Sequence, residues 1–138
     1  MNIEYKGFLI SDDKSKIQID RICELLSTTY WAEDRKKEAI EKSIENSMCF
    51  GVYADKRQIG FARCVTDYAT MFWLADVIID EKYRKLGIGK ALIKFIVEHN
   101  LLQSLFGILG TRDAHSLYAQ YGFQTFDGRF MRKPANDL

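Results

Sequence analysis

Asp76-Val77-Ile78-Ile79-Asp80-Glu81-Lys82-Tyr83-Arg84-Lys85-Leu86-Gly87-Ile88-Gly89-Lys90, continuing through Ala91 to Glu98, decides how this chain folds. A β-branched apolar run gives way to a short polar turn, then to a glycine-punctuated basic loop, then to a helical pattern. The first turn of a helix leaves about four N–H donors unpaired, and the helix dipole adds partial positive charge there. Gly87 and Gly89 remove side chains that would block close approach, while Arg84, Lys85 and Lys90 add formal charge. Those parts make a phosphate cradle.

Outward from the cradle, Ile88, Ala91, Leu92, Phe95 and Ile96 form one apolar stripe, with Lys90, Lys94 and Glu98 opposite. This spacing predicts an amphipathic helix fading at Asn100. Leu105 to Leu109 reads as a strand; if it runs parallel to the strand before the loop, the helix is their crossover. Upstream, Met48 to Ala54 and Ile59 to Thr66 flank the turn Asp55–Gln58. Thr70 to Ile79 follows a second turn, with Phe72, Leu74, Asp76 and Ile78 expected on one face.

Tyr5 to Ile10 reads as a first strand, Ser11–Ser15 as a turn, and Ile19 to Tyr30 as a core-packing helix. From Glu33 to Glu45, nine of thirteen residues are charged. That segment is a lightly anchored surface helix or a movable wall over a cleft, with Trp31, Glu33 and Asp34 facing a cationic ligand. Near the C-terminus, Ala114 to Gln120 is a short helix with Asp113 as N-cap and Gly122 suited to a left-handed position. Gln124–Phe126 and Arg129–Lys133, around Asp127-Gly128, read as a terminal hairpin. The expected order β-α-α-β-β-β-α-β-α-β-β makes an α/β chain of one mixed sheet with helices packed on it.

At 138 residues, 47% hydrophobic and 13% aromatic, the chain is sized for one domain over 1–138, with its core at about 5–133. A net charge of +1 favours neither nucleic acid nor an anionic membrane. No apolar run reaches the length of a membrane span, and the start lacks a signal-peptide layout. Cys23, Cys49 and Cys64 lack metal-type spacing, so no metal is expected. They read as three buried thiols of a cytoplasmic protein.

Which anion the cradle holds depends on the motif. A P-loop needs a hydroxyl after Gly-Lys, and Ala91 stands there. A dinucleotide fingerprint needs a third glycine, and Leu92 stands there, behind an antiparallel meander. Arg-x-x-Gly-x-Gly is met by Arg84 to Gly89, and Leu117-Tyr118-Ala119-Gln120-Tyr121-Gly122-Phe123 appears downstream. With these two motifs in this order, the sequence resembles the GNAT family of N-acetyltransferases over nearly its whole length.

The resemblance implies a mostly antiparallel sheet of about six to seven strands, with a splayed parallel central pair and helices on both faces. It implies acetyl-CoA as cosubstrate, its pyrophosphate held by Arg84, Lys85, Gly87, Ile88, Gly89 and Lys90. Pantetheine would pair with backbone at Val77, Ile78 and Ile79, as an added strand. An N–H at the strand's bulge would polarise the thioester carbonyl. Thr111 stands where many relatives carry a cofactor-binding asparagine, and Lys85 and Leu86 also depart from the usual loop. Tyr118 sits at the general-acid position, with an aromatic core role as its alternative. Asp76, alone as an acid in an apolar strand, is a catalytic candidate or a paired structural group; Glu33, Asp34 and His115 are other proton-transfer candidates. His99 looks structural. The function so implied is acetyl transfer to a primary amine of a small molecule or peptide, by direct attack in a ternary complex, in a monomer or homodimer. The alternative is a catalytically silent CoA-binding sensor or interaction module.

Overall fold

The structure of the protein, a computed structural model, describes residues 1–136. Six strands form one sheet in chain order: β1 (Asn2–Tyr5), β2 (Phe8–Ser11), β3 (Met48–Ala54), β4 (Arg57–Thr66), β5 (Met71–Ile79) and β6 (Phe106–Ile108). All neighbours are antiparallel except β5 and β6, which run parallel. The single N-terminal strand expected over Tyr5–Ile10 is instead a hairpin, because Lys6 and Gly7 both adopt positive φ and reverse the chain.

Helices α1 (Ile19–Ser27) and α2 (Lys37–Glu45) cover one face, burying Ile22, Leu25, Leu26, Ile40 and Ile44 with Phe61 and Ile78 of the sheet. Helix α3 (Ile88–Val97) covers the other, burying Ile88, Leu92, Ile93, Phe95 and Ile96 against Ile10, Phe50, Val52 and Phe72. Burial of this kind contributes about 1.5–3 kcal/mol per large side chain and fixes the sheet's register. His99, just past α3, is buried, bonds Asp12 Oδ2 at 2.7 Å and accepts the Leu101 N–H, a structural placement.

Three further local expectations are corrected. Helix α1 stops at Ser27 rather than Tyr30, because the Thr28 and Thr29 hydroxyls donate back to the carbonyls of Leu25 and Leu26. Helix α2 starts at Lys37 rather than Glu33. Between them, Thr29 Oγ1 accepts the Ala32 N–H, and buried Ala32 pins a turn that carries Trp31 and Arg35. The terminal hairpin is absent from 124–136: Asp127 and Gly128 do turn, but Phe126, Phe130 and Met131 stay exposed, so no apolar burial supports two strands. The short helix α4 (His115–Ala119) precedes that tail.

In β5 the period of two also breaks. Register runs Phe61↔Ile78 and then Arg63↔Ala75, so Asp76 and Val77 stand opposite Ala62, with Asp76 at φ 56°. This bulge inserts one residue and reverses the faces. Phe72 and Leu74 face α3, whereas beyond the bulge Val77 and Ile79 take that side and Ile78 packs towards α1 and α2. Asp76 therefore does not share one face with Phe72 and Ile78 as alternation predicts. Among the described residues, no helix is long and apolar enough to cross a membrane.

Candidate active site

Strand β5 ends where Asp80, whose side chain accepts the Lys82 N–H at 2.9 Å, starts a single 3-10 turn over Glu81–Tyr83. Arg84 then folds back, its Nε donating to the Ile79 carbonyl at 3.0 Å. Lys85 (φ 68°) and Gly87 (φ 81°) are both left-handed and steer the chain into α3. Tyr5 Oη and Lys6 Nζ donate to the Leu86 carbonyl at 3.1 and 3.4 Å, fixing the loop's outer side. The N–H groups of Ile88, Gly89 and Lys90 are those a first helical turn leaves unpaired, and no acid or side-chain cap occupies them. The Ile88 side chain is wholly in the core, so this residue offers the cleft only its backbone. A Cβ on Gly89 would meet nothing closer than Ile79 Cγ1 at 3.9 Å. The protein's own packing therefore does not require glycine at 89.

Beside this cradle the sheet opens. Pairing of β5 with β6 ends at Trp73↔Ile108, so from Leu74 to Ile79 that edge of β5 faces a cleft of about 760 Å³. A strand edge without a partner is a template for an extended ligand. Thr111 lines the same cleft, and its Oγ1 accepts the Ala114 N–H at 3.0 Å. Thr111, not Asp113, caps the turn into α4. Tyr118 reaches the cleft from α4, its ring edge-on to Phe123 at 5.9 Å. Burial, and then the nearby Tyr30 and Asp113, push its phenol above the ordinary tyrosine value, so the group stays protonated at neutral pH.

At the far end, Asp76 Oδ2 accepts from Arg63 Nε at 2.6 Å and Arg35 Nη1 at 2.8 Å, and Oδ1 from Trp31 Nε1 at 3.2 Å. Arg63 also donates to Ser47 Oγ at 3.2 Å. Both oxygens of Asp76 are thus engaged, and its side chain is 2% exposed. Tyr30 meets Trp31 edge-to-face at 5.0 Å, and the Arg112 guanidinium lies 3.7 Å from the Tyr30 ring centre.

Of the candidate residues, Glu33 and Asp34 lie outside the cleft lining; both are exposed on the turn before α2. His115 is exposed and outside that lining too. Arg35, Arg63, Tyr30 and Trp73 line the cleft and were not singled out in the sequence. Arg63 carried a usable signal, as the lone charge inside the apolar run Ile59–Val65. Cys49 and Cys64 are buried, their thiols pushed up to about 11 and about 12 by burial, whereas Cys23 is only half-buried. Three buried thiols are therefore two.

Residues 45–125 match the model of the acetyltransferase (GNAT) domain. The chain is 37% identical to a Xanthomonas campestris protein assigned to the GNAT family. That likeness covers 96% of each chain, with a TM-score of 0.90. A GNAT family acetyltransferase from Elizabethkingia anophelis, solved with acetyl-CoA bound, shares the fold at a TM-score of 0.67. It is 19% identical over 89% of this chain and 80% of its own. A Gibberella zeae protein assigned as an acetyltransferase is 27% identical over 111 residues, 66% of this chain; the chain spans 63% of that relative's length. A six-stranded sheet split beside a glycine-opened helix, and these likenesses, agree: the chain belongs to the GNAT acetyltransferase family.

Proposed function

We propose that the protein, acting as one domain with its core over 5–133, transfers an acetyl group from acetyl-CoA to a primary amine by direct attack in a ternary complex. The observation that carries this reading is the open edge of β5 beyond Trp73, ending at the free N–H groups of α3. Acetyl-CoA supplies an activated thioester. The N–H groups of Ile88, Gly89 and Lys90, with Arg84 and Lys85, bind its pyrophosphate. Backbone at Val77, Ile78 and Ile79 pairs with pantetheine, and Thr111 donates its hydroxyl hydrogen to the same ligand. The left-handed bulge at Asp76 turns a backbone N–H towards the thioester carbonyl, where negative charge develops on attack. As the C–N bond forms and the C–S bond breaks, Tyr118, held protonated by its burial, gives a proton to the departing thiolate, and the proton shed by the amine returns through solvent to the phenolate.

Asp76 takes a positioning part in this reading: with both oxygens already accepting hydrogen bonds, it holds the bulge and two arginines in place. Glu33 and Asp34, exposed outside the cleft lining, take no part in catalysis or acceptor binding in this reading.

Thiol release from acetyl-CoA in the presence of a panel of amines tests the reading. Amine-dependent release is expected. CoA binding without release for any amine would replace this reading with that of a CoA-binding module.

A further inference from the structure

We infer that the acceptor carries a carboxylate near its amine, received by Arg35, and an aromatic or apolar body seated among Tyr30, Trp31 and Trp73. This inference rests on the acetyl-transfer reading and names the substrate class of the same site. Its basis is an imbalance of charge and hydrogen bonds. Two guanidinium groups, of Arg35 and Arg63, converge on the single carboxylate of Asp76. Arg63 is committed, with Nε on Asp76 and Nη1 on Ser47, and its side chain is 15% exposed. Arg35 uses only Nη1; among the described residues its Nε and Nη2 have no hydrogen-bond partner, and its side chain is 25% exposed in the cleft wall. A guanidinium with donors to spare is shaped for the paired oxygens of a carboxylate.

The acids around Trp31 and Asp76 do not favour a second cation on the acceptor. Glu33 and Asp34 are exposed and outside the cleft lining, and Asp76 is already over-matched. Asp113 also lines the cleft, and Arg112 beside it brings a guanidinium onto Tyr30. The cationic ligand expected from the acidic run near Trp31 therefore finds no free acid there. Tyr30, Trp31 and Trp73 are each between 41% and 47% exposed, a concentration of ring surface at the same end. Exposed aromatic faces with an adjacent cation suit an amino acid with an apolar side chain better than a polyamine.

The test uses three amines that share one phenyl group: phenylalanine, phenylalaninamide and 2-phenylethylamine. Thiol release is read at saturating acetyl-CoA and corrected for the fraction of each amine that is unprotonated. We expect kcat/KM for phenylalanine to exceed that of the other two by at least about tenfold. Arg35→Gln should bring the three within about threefold, and Arg35→Lys should restore part of the gap. Equal rates, or a preference for the uncharged amide, would overturn the inference. A second measurement needs no turnover: N-acetylphenylalanine and its primary amide are titrated into CoA-saturated protein. The carboxylate should bind at least about tenfold tighter. Equal binding, or binding of neither, overturns the inference, while a carboxylate preference without thiol release from any amine overturns acetyl transfer and leaves this one standing.

Discussion

At one end of the cleft the donors are backbone N–H groups, presented by the first turn of α3 and the open edge of β5. At the other they are side chains from two separated places, Trp31 and Arg35 before α2 and Arg63 on β4, all donating to Asp76 on β5. The first arrangement needs only glycine and a strand-to-helix turn, so many side chains are compatible with it. The second needs particular charges at particular places and fails when any one is removed. In the proposed acetyl transfer, a site divided this way would keep one ligand general and leave the other to be set by a few residues.

The comparison breaks most visibly at Gly89. Gly89→Glu has room in the folded protein, where a Cβ meets only Ile79, but it places a carboxylate against the anion cradle. CoA affinity by calorimetry should fall at least about a hundredfold with little change in melting temperature. An equal loss of stability would mean that glycine there serves the fold. At the side-chain end the order reverses. Asp76→Ala leaves two partly buried guanidinium groups facing each other and should cost about 3 kcal/mol in denaturant unfolding. Asp76→Asn should cost about 1 kcal/mol less, because asparagine tolerates the left-handed backbone at φ 56°. If the two variants unfold alike, backbone conformation plays no part at the bulge.

Between the two ends stands Tyr118. Tyr118→Phe should lower kcat about a hundredfold and leave CoA affinity in place. Because burial raises the phenol, any alkaline fall in kcat that Tyr118 causes should lie above the ordinary tyrosine value and vanish in the variant. Full turnover at saturating substrates would return this ring to the core alone. Smaller still, Thr111→Ala removes the acceptor for the Ala114 N–H and should cost about 1 kcal/mol. The least effect is expected at Asp80. The Lys82 N–H lowers its pKa most, against opposing burial, and Arg21 adds to the lowering. A depressed carboxylate contributes stability at pH values above its unfolded value of about 3.9, and that contribution fades as the pH falls through its folded value. Asp80→Asn should flatten the acid limb of a pH–stability curve.

The same division explains what could be read in the sequence. The strand, glycine loop and helix around the cleft were legible because their determinants are contiguous: β-branched residues, two glycines and an amphipathic stripe lie within 76–98. The parallel partner at β6, the left-handed Gly122 and a helix bearing Tyr118 were legible for the same reason. The Asp76 cluster was half legible. An acid in an apolar strand signals a partner, but Arg35 and Arg63 come from elements brought together only by the meander and the α1–α2 turn. The bulge left no local mark, since a bulge is decided by pairing across strands rather than by the residue that bears it. The terminal hairpin was misread because turn chemistry at Asp127-Gly128 specifies a reversal and says nothing about whether its flanks can bury anything.

The bond from Tyr5 to the Leu86 carbonyl joins the outermost hairpin of the sheet to the loop that leads into α3. Tyr5 Oη occupies the space that a side chain on residue 87 would need, so the loop's curvature and the hairpin's docking are set together. By linkage, a ligand that binds more tightly when the hairpin is docked must favour the docked hairpin by the same factor. Amide exchange over Asn2–Ser11, at the opposite edge of the sheet from β6, would then register events in the cleft, and the first strands would serve as its gauge.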